Sequence, residues 1–296
     1  VYYRIQPVDF YGKKSQASHT VSYTYLKNNN KRTTIGNLIS PADWSLFVFE
    51  QKYGKEPVIV FGTPTNRNKT PQTHRIKNSS EESFEFKFDT WFYLKNPIFI
   101  SRDTIAYIVL PAAGSYNFDG INAFGGKATD VTADWVQVHF ETPFEKIPVV
   151  FASQITNKSD STASVRIRNV TNNGFEVKLQ YEGTGTPPSV GEELYYIALT
   201  PGKGLINGNV VEVGRTEEFA VGDFWGAEKI EFANTYNQPA FFGAMQTESD
   251  GIASALRIKN RGVSYTEVFK EKEMSKASKA PSKETVGWMV VEIAKE

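Results

Sequence analysis

The chain has no cysteine among its 296 residues, which removes disulfides, thiolate metal sites and a cysteine nucleophile together. Histidine is scarce. His19, His74 and His139 are the only three, and no two lie at metal-ligand spacing, so neither a metal centre nor a histidine-based triad is expected. Charge of one sign is missing as well: Lys+Arg and Asp+Glu balance at 33 each, and without a basic surplus nucleic acid is not expected as a partner. No apolar run approaches the roughly 18 residues of a membrane-spanning helix. The chain opens on Val-Tyr-Tyr rather than methionine and shows no signal peptide, which reads as a fragment or a processed product. Convincing helical periodicity is absent throughout. The nearest approach, Lys270 to Lys283, carries Ser, Ala and Pro281 and reads as a long exposed loop.

Aromatic residues are plentiful at 14%, which favours strands. Three segments repeat. Pro57-Val-Ile-Val-Phe61 precedes Arg75-Ile-Lys-Asn78, Pro148-Val-Val-Phe151 precedes Arg166-Ile-Arg-Asn169, and Pro239-Ala-Phe-Phe242 precedes Arg257-Ile-Lys-Asn260. Proline to arginine is 18 residues each time. A tryptophan opens each segment (Trp44, Trp135, Trp225), 13, 13 and 14 residues before the proline. An apolar strand closes each one: Ile105–Leu110, Leu194–Leu199 and Val286–Val291.

Within a repeat the period is two. Phe84-Glu-Phe-Lys-Phe88 and Phe175-Glu-Val-Lys-Leu179 alternate apolar and polar, as half-buried antiparallel strands do. Asn172-Asn-Gly174 reads as a hairpin turn, because Asn and Gly tolerate positive φ. The fold class is therefore all-β, with three tandem antiparallel β-sandwich modules at 40–112, 130–203 and 220–296. The Gly-rich stretches 111–134 and 201–224 read as linkers. Residues 1–27 form a separate hairpin. Its Val1–Asp9, Tyr11-Gly12 and Ser18–Tyr25 resemble the last two strands of a fibronectin type III domain.

A second resemblance covers the repeats. Trp135-Val-Gln-Val-His-Phe140, Phe144–Phe151 and Arg166–Leu179 are similar to the H-type lectin module of discoidin and the snail agglutinins. Phe84–Trp91 and Glu284–Val291 add pieces of the same pattern from the first and third repeats. The resemblance implies six-stranded sandwiches that assemble in threes. It also implies galactose-type sugars bound between neighbouring units by an acidic loop residue, an arginine and a tryptophan. On this chain the acidic position matches Asp160 and Asp250, with Asn68 in the first repeat. The arginine matches Arg75, Arg166 or Arg257, and the tryptophan matches Trp91 alone, with Glu182 at that position in the second repeat.

Each candidate has a plainer reading beside it. The three arginines either hold a glycan or carboxylate through a bidentate fork or occupy a repeated strand position and pair with a neighbour. Asn78, Asn169 and Asn260 read as turn formers. Trp91, Phe92 and Tyr93 cannot all be buried on one strand face, so at least one ring is available to stack on a pyranose. Trp44, Trp135, Trp225 and Trp288 read as core. Asp119, Asp130 and Asp134 lack the spacing of a calcium loop and read as solvated. The glycan-binding candidates are thus Trp91, Tyr93, Arg75, Arg166, Arg257, Asn68, Asp160 and Asp250, with no metal, no cofactor and no catalytic residue expected.

These readings point to a non-enzymatic adhesin or receptor-binding segment, outside the cell or on a virion surface such as a phage tail fibre. Its partner would be a cell-surface polysaccharide or glycan, and its modules would close as an intrachain pseudo-trimer or stack as a homotrimer. Two alternatives stay open: spacer modules of a virion or surface fibre, and the accessory carbohydrate-binding part of a polysaccharide-degrading enzyme.

Overall fold

The computed structural model describes residues 33–41, 43–94, 102–275 and 282–293, with the backbone of 2–3 and 21–22. Among them are 22 strands and no helix, so no helix is long and apolar enough to cross a membrane. β1 (Tyr2–Tyr3) pairs antiparallel with β2 (Val21–Ser22). The rest of the 1–27 segment, and with it the fibronectin-like reading, lies outside the described residues.

The remaining strands form three pairs of antiparallel sheets, each pair from one contiguous stretch. Unit I contains β3 (Thr34–Ile39), β4 (Ser45–Val48), β5 (Val58–Phe61), β6 (Gln72–Lys77), β7 (Ser83–Thr90) and β8 (Thr104–Leu110). They pair in the orders β3-β8-β5 and β4-β7-β6. Unit II contains β9 (Gly114–Asn117), β10 (Asn122–Val131), β11 (Val136–His139), β12 (Val149–Gln154), β13 (Ala163–Arg168), β14 (Gly174–Tyr181) and β15 (Glu192–Leu199). Its orders are β9-β10-β15-β12 and β11-β14-β13. Unit III contains β16 (Gly202–Ile206), β17 (Asn209–Arg215), β18 (Glu228–Glu231), β19 (Pro239–Met245), β20 (Ser254–Arg261), β21 (Tyr265–Lys272) and β22 (Val286–Glu292), ordered β16-β17-β22-β19 and β18-β21-β20.

The stretches 111–134 and 201–224 are not linkers. They carry the hairpins β9–β10 and β16–β17, whose second strands pair with β15 and β22 inside the sandwiches. Glycine misled here because two of these residues serve close approach. Gly126 lies against the Tyr196 ring and Gly214 against the Trp288 ring, where any Cβ would collide. The Lys270–Lys283 loop is likewise corrected at its start, since Lys270–Lys272 closes β21 and Lys270 is buried. Residues 276–281 lie outside the described set.

The hairpin between β13 and β14 forms where expected, closed by Thr171 N donating to Gly174 O at 2.8 Å. Positive φ falls on Asn169 (φ 50) rather than on Asn172–Gly174, and Asn78 repeats it (φ 50). Asn260 is not a turn residue. It lies within β20, beside a register shift after Ile258.

The units share a central cluster, beside separate buried clusters within unit II and within unit III. A single cluster of buried side chains includes Val58, Phe61 and Ile108 of unit I, Phe151 and Ile197 of unit II, and Phe242 and Met289 of unit III. β5 is buried along its whole length, because both of its faces are covered. That explains an uninterrupted Val-Ile-Val-Phe run where a solvated strand would alternate. Phe61 N donates to Ser153 Oγ at 2.9 Å, Val150 N to Gln246 Oε1 at 3.0 Å, and Thr63 N to Phe241 O at 3.3 Å. Each unit therefore touches both others. A cavity of about 80 Å³ lies where they meet, lined by Phe61, His74, Phe151, Ser164, Met245 and Ser254 among others.

Candidate functional site

Arg75, Arg166 and Arg257 sit on β6, β13 and β20, edge strands of the three-stranded sheets β4-β7-β6, β11-β14-β13 and β18-β21-β20. Their registers correspond: Arg75 faces Lys87, Arg166 faces Lys178, and Arg257 faces Phe269 across the ladder. All three side chains are fully buried. Such a charge must find partners, and each arginine finds them in the following unit. Arg75 donates to Asn157 Oδ1 (2.6 Å), Ser159 O (2.8 Å) and Asp160 O (3.0 Å) of unit II. Arg166 donates to Thr247 O (3.0 Å) and Glu284 (2.8 Å) of unit III. Arg257 donates to Thr65 O (2.7 Å), Asn68 O (2.9 Å) and Asp103 (2.9 Å) of unit I. The contacts run I to II, II to III and III to I, so the ring closes.

Each receiving loop is shaped by one buried acid just before the closing strand or at its start. Asp103 accepts from Thr65 Oγ1 (2.8 Å) and Arg67 N (2.7 Å). Glu192 accepts from Thr156 Oγ1 (2.5 Å), Lys158 N (3.1 Å) and Ser159 N (2.9 Å). Glu284 accepts from Thr247 Oγ1 (2.6 Å) and Ser249 N (3.2 Å). Thr65, Thr156 and Thr247 each follow their proline by eight residues, a spacing visible in the sequence once the acid is known to need it.

The junctions differ in charge. Asp89 pairs with Arg75 at 2.6 Å and Glu271 with Arg257 at 2.8 Å, while Gln180 holds the matching ladder position near Arg166. Lys270 enters instead and binds Glu284 (2.8 Å) and Asp250 (3.0 Å). Burial pushes Glu284 up, but Arg166 and Lys270 outweigh it and hold it below the ordinary carboxylate range. Burial pushes Glu271 above that range, with Arg257 offsetting only part.

The predicted arginines and loop residues thus meet in pairs. Arg75 reaches Asp160 and Arg257 reaches Asn68, both through backbone carbonyls, and Arg166 reaches Asp250 only by way of Glu284 and Lys270. Asp160 stays exposed, whereas Asn68 is buried and donates to Gln72 at 3.2 Å. Trp91 is 1% exposed, so its indole is covered, and the outward ring of that triplet is Phe92 at 78%. Tyr93 N donates to Glu182 of unit II (3.0 Å), Gly183 N to Glu273 of unit III (3.2 Å), and Met274 N to the Tyr93 hydroxyl (3.2 Å). This second cycle crosses the three units at the ends of β7, β14 and β21. No group of His, Cys, Asp and Glu among the described residues has the geometry to hold a metal ion.

The tryptophans read as core are not core. Trp44 lies half-buried beneath Lys77 (4.1 Å) and Lys87 (5.0 Å), and Trp135 beneath Arg168 (4.0 Å) and Lys178 (4.6 Å). In unit III the cation of the repeated tetrapeptide, Lys259, sits over Phe224 (4.8 Å). Trp225 is displaced from that role and is 88% exposed. Trp288 is partly buried against the unit III core.

The fold defines an all-β, multi-sandwich protein whose units are locked by buried arginines. Residues 135–198, spanning β11 to most of β15, match the H-type lectin domain family. No curated protein and no solved structure matches the chain significantly.

Proposed function

We propose that this protein is a non-enzymatic glycan-binding protein that attaches its bearer to a cell-surface polysaccharide. The observation that carries the reading is the H-type lectin match over residues 135–198. The cyclic contacts support extending the same ancestry to units I and III, since arginine, threonine and acid recur at matching places in each. Three linked units would give avidity to individually weak sites. Cysteine-free composition suits assembly in a reducing cytosol before export or virion release. A bacterial surface adhesin or a phage tail fibre is the setting proposed for it.

A second reading, a spacer in a virion or surface fibre, is favoured by one finding: Trp91 and all three arginines are spent on packing. A printed glycan array separates the two. Binding of the intact chain to a defined family of glycans supports attachment, and a silent array leaves the spacer reading.

A further inference from the structure

We propose that Trp225 is a saccharide platform on the loop between β17 and β18 of unit III. This rests on the glycan-binding reading above and adds the residue and the face of the sugar it takes. Trp225 is the most exposed large hydrophobic side chain among the described residues, at 88%. Its loop is nevertheless tightly held. Asp223 Oδ1 accepts from Trp225 N (3.1 Å) and Gly226 N (3.0 Å), and Gly222 N donates to Gly226 O at 2.9 Å. Gly222 O accepts from Lys270 N of β21 (2.7 Å), and Val221 and Glu284 exchange both backbone bonds. Phe224 braces the indole edge-on at 5.4 Å and 90°, and is itself braced by Phe269 at 5.2 Å.

An indole displayed on a fixed backbone has lost the freedom that would otherwise oppose binding. Its surroundings select the ligand. No other exposed aromatic ring contacts it among the described residues, so it presents a single face rather than part of an aromatic cluster. Polar groups border it instead. Asp223 Oδ2 accepts no hydrogen bond from any described residue. Lys259 covers Phe224 and forms no ion pair among the described residues, and Lys283 passes beside Gly222. An aromatic face on a loop that also carries a free carboxylate oxygen complements a pyranose, which offers one apolar C–H face and a rim of hydroxyls. Trp225 lies outside the span that matches the lectin family and does not correspond to Trp91.

The test compares the intact chain with Trp225→Ala and Trp225→Phe on a printed glycan array. Saturation-transfer NMR adds methyl glycosides of galactose, glucose, N-acetylgalactosamine and N-acetylglucosamine. The alanine variant is expected to weaken binding by about tenfold, the loss of one stacked face, with an unchanged melting temperature. The phenylalanine variant keeps a face and is expected to stay within about threefold. Wild-type affinity in Trp225→Ala overturns this inference and leaves glycan binding standing elsewhere on the chain. A wild-type protein that binds nothing on the array or by NMR overturns both.

Discussion

Arg257 and Arg166 occupy the same place in the fold, yet their loss has different consequences. Asp103 is buried, and its only cation among the described residues is Arg257, so Arg257→Ala leaves a buried carboxylate without its counter-ion. Breaking a pair of that kind costs about 3–5 kcal/mol. Glu284 keeps Lys270 at 2.8 Å when Arg166 is removed, so Arg166→Ala is expected to cost less, about 1–3 kcal/mol. Urea denaturation of both variants checks the order, and equal losses would contradict it. His74 gives a pH prediction. Burial lowers its pKa from 6.5 to about 4, so the folded protein refuses a proton that the unfolded chain accepts. Stability is then full above about pH 6.5 and falls as pH drops toward 4, by at most about 3 kcal/mol. Glu271, raised by burial, acts in the opposite sense at the acid end. A His74→Phe variant should show a flatter loss of stability between pH 6.5 and 4.5, and an unchanged slope would exclude His74 as the cause. At this scale the sequence revealed which arginines matter and hid what they do. A repeated arginine reads alike whether it faces a ligand or a neighbouring loop, because only the fold says which. Trp225 was misread for a related reason: a tryptophan near the repeat's opening reads as equivalent to Trp44 and Trp135, but the cation of unit III caps Phe224 instead.

Strands were legible wherever one face is wet. Phe84–Phe88 and Phe175–Leu179 alternate because β7 and β14 alternate in burial, and the closing strands stood out as apolar runs because β8, β15 and β22 are each flanked by strands on both sides. The hairpins β9–β10 and β16–β17 were not legible, since Gly126 and Gly214 answer to aromatic rings on the adjacent strand rather than to flexibility. Amide hydrogen exchange tests the correction. Residues 123–128 pair with β15 and should exchange as slowly as β15 itself, whereas rapid exchange would restore the linker reading. Gly62 marks another such approach: a Cβ there would strike the carbonyl of Phe241 in unit III. Gly62→Ala is expected to destabilise by about 1–3 kcal/mol by forcing β5 and β19 apart. Thermal unfolding of the variant measures it.

Across the whole molecule, one buried cluster draws side chains from all three units beside the smaller clusters within units II and III, so opening any unit exposes apolar surface of the other two. Calorimetry should therefore show a single transition, with calorimetric and van't Hoff enthalpies in agreement. Three separable transitions would mean independent domains. Small-angle scattering should give a radius of gyration near the roughly 19 Å of a compact chain this long, not the larger value of beads on a string. The number of units was readable from the spacing of proline and arginine. Their closure into a ring is not legible there, because the acids that shape the receiving loops, Asp103, Glu192 and Glu284, vary in identity between repeats.

The substitution at position 180 shows what fusing the units permits. In an assembly of three identical subunits, exchanging the acid beside the arginine for an amide would alter every interface at once. Here Asp89 and Glu271 remain while Gln180 changes alone, with Lys270 supplied from across the boundary. Any surface carried near such a boundary can therefore vary by itself, and dilution cannot pull the three apart.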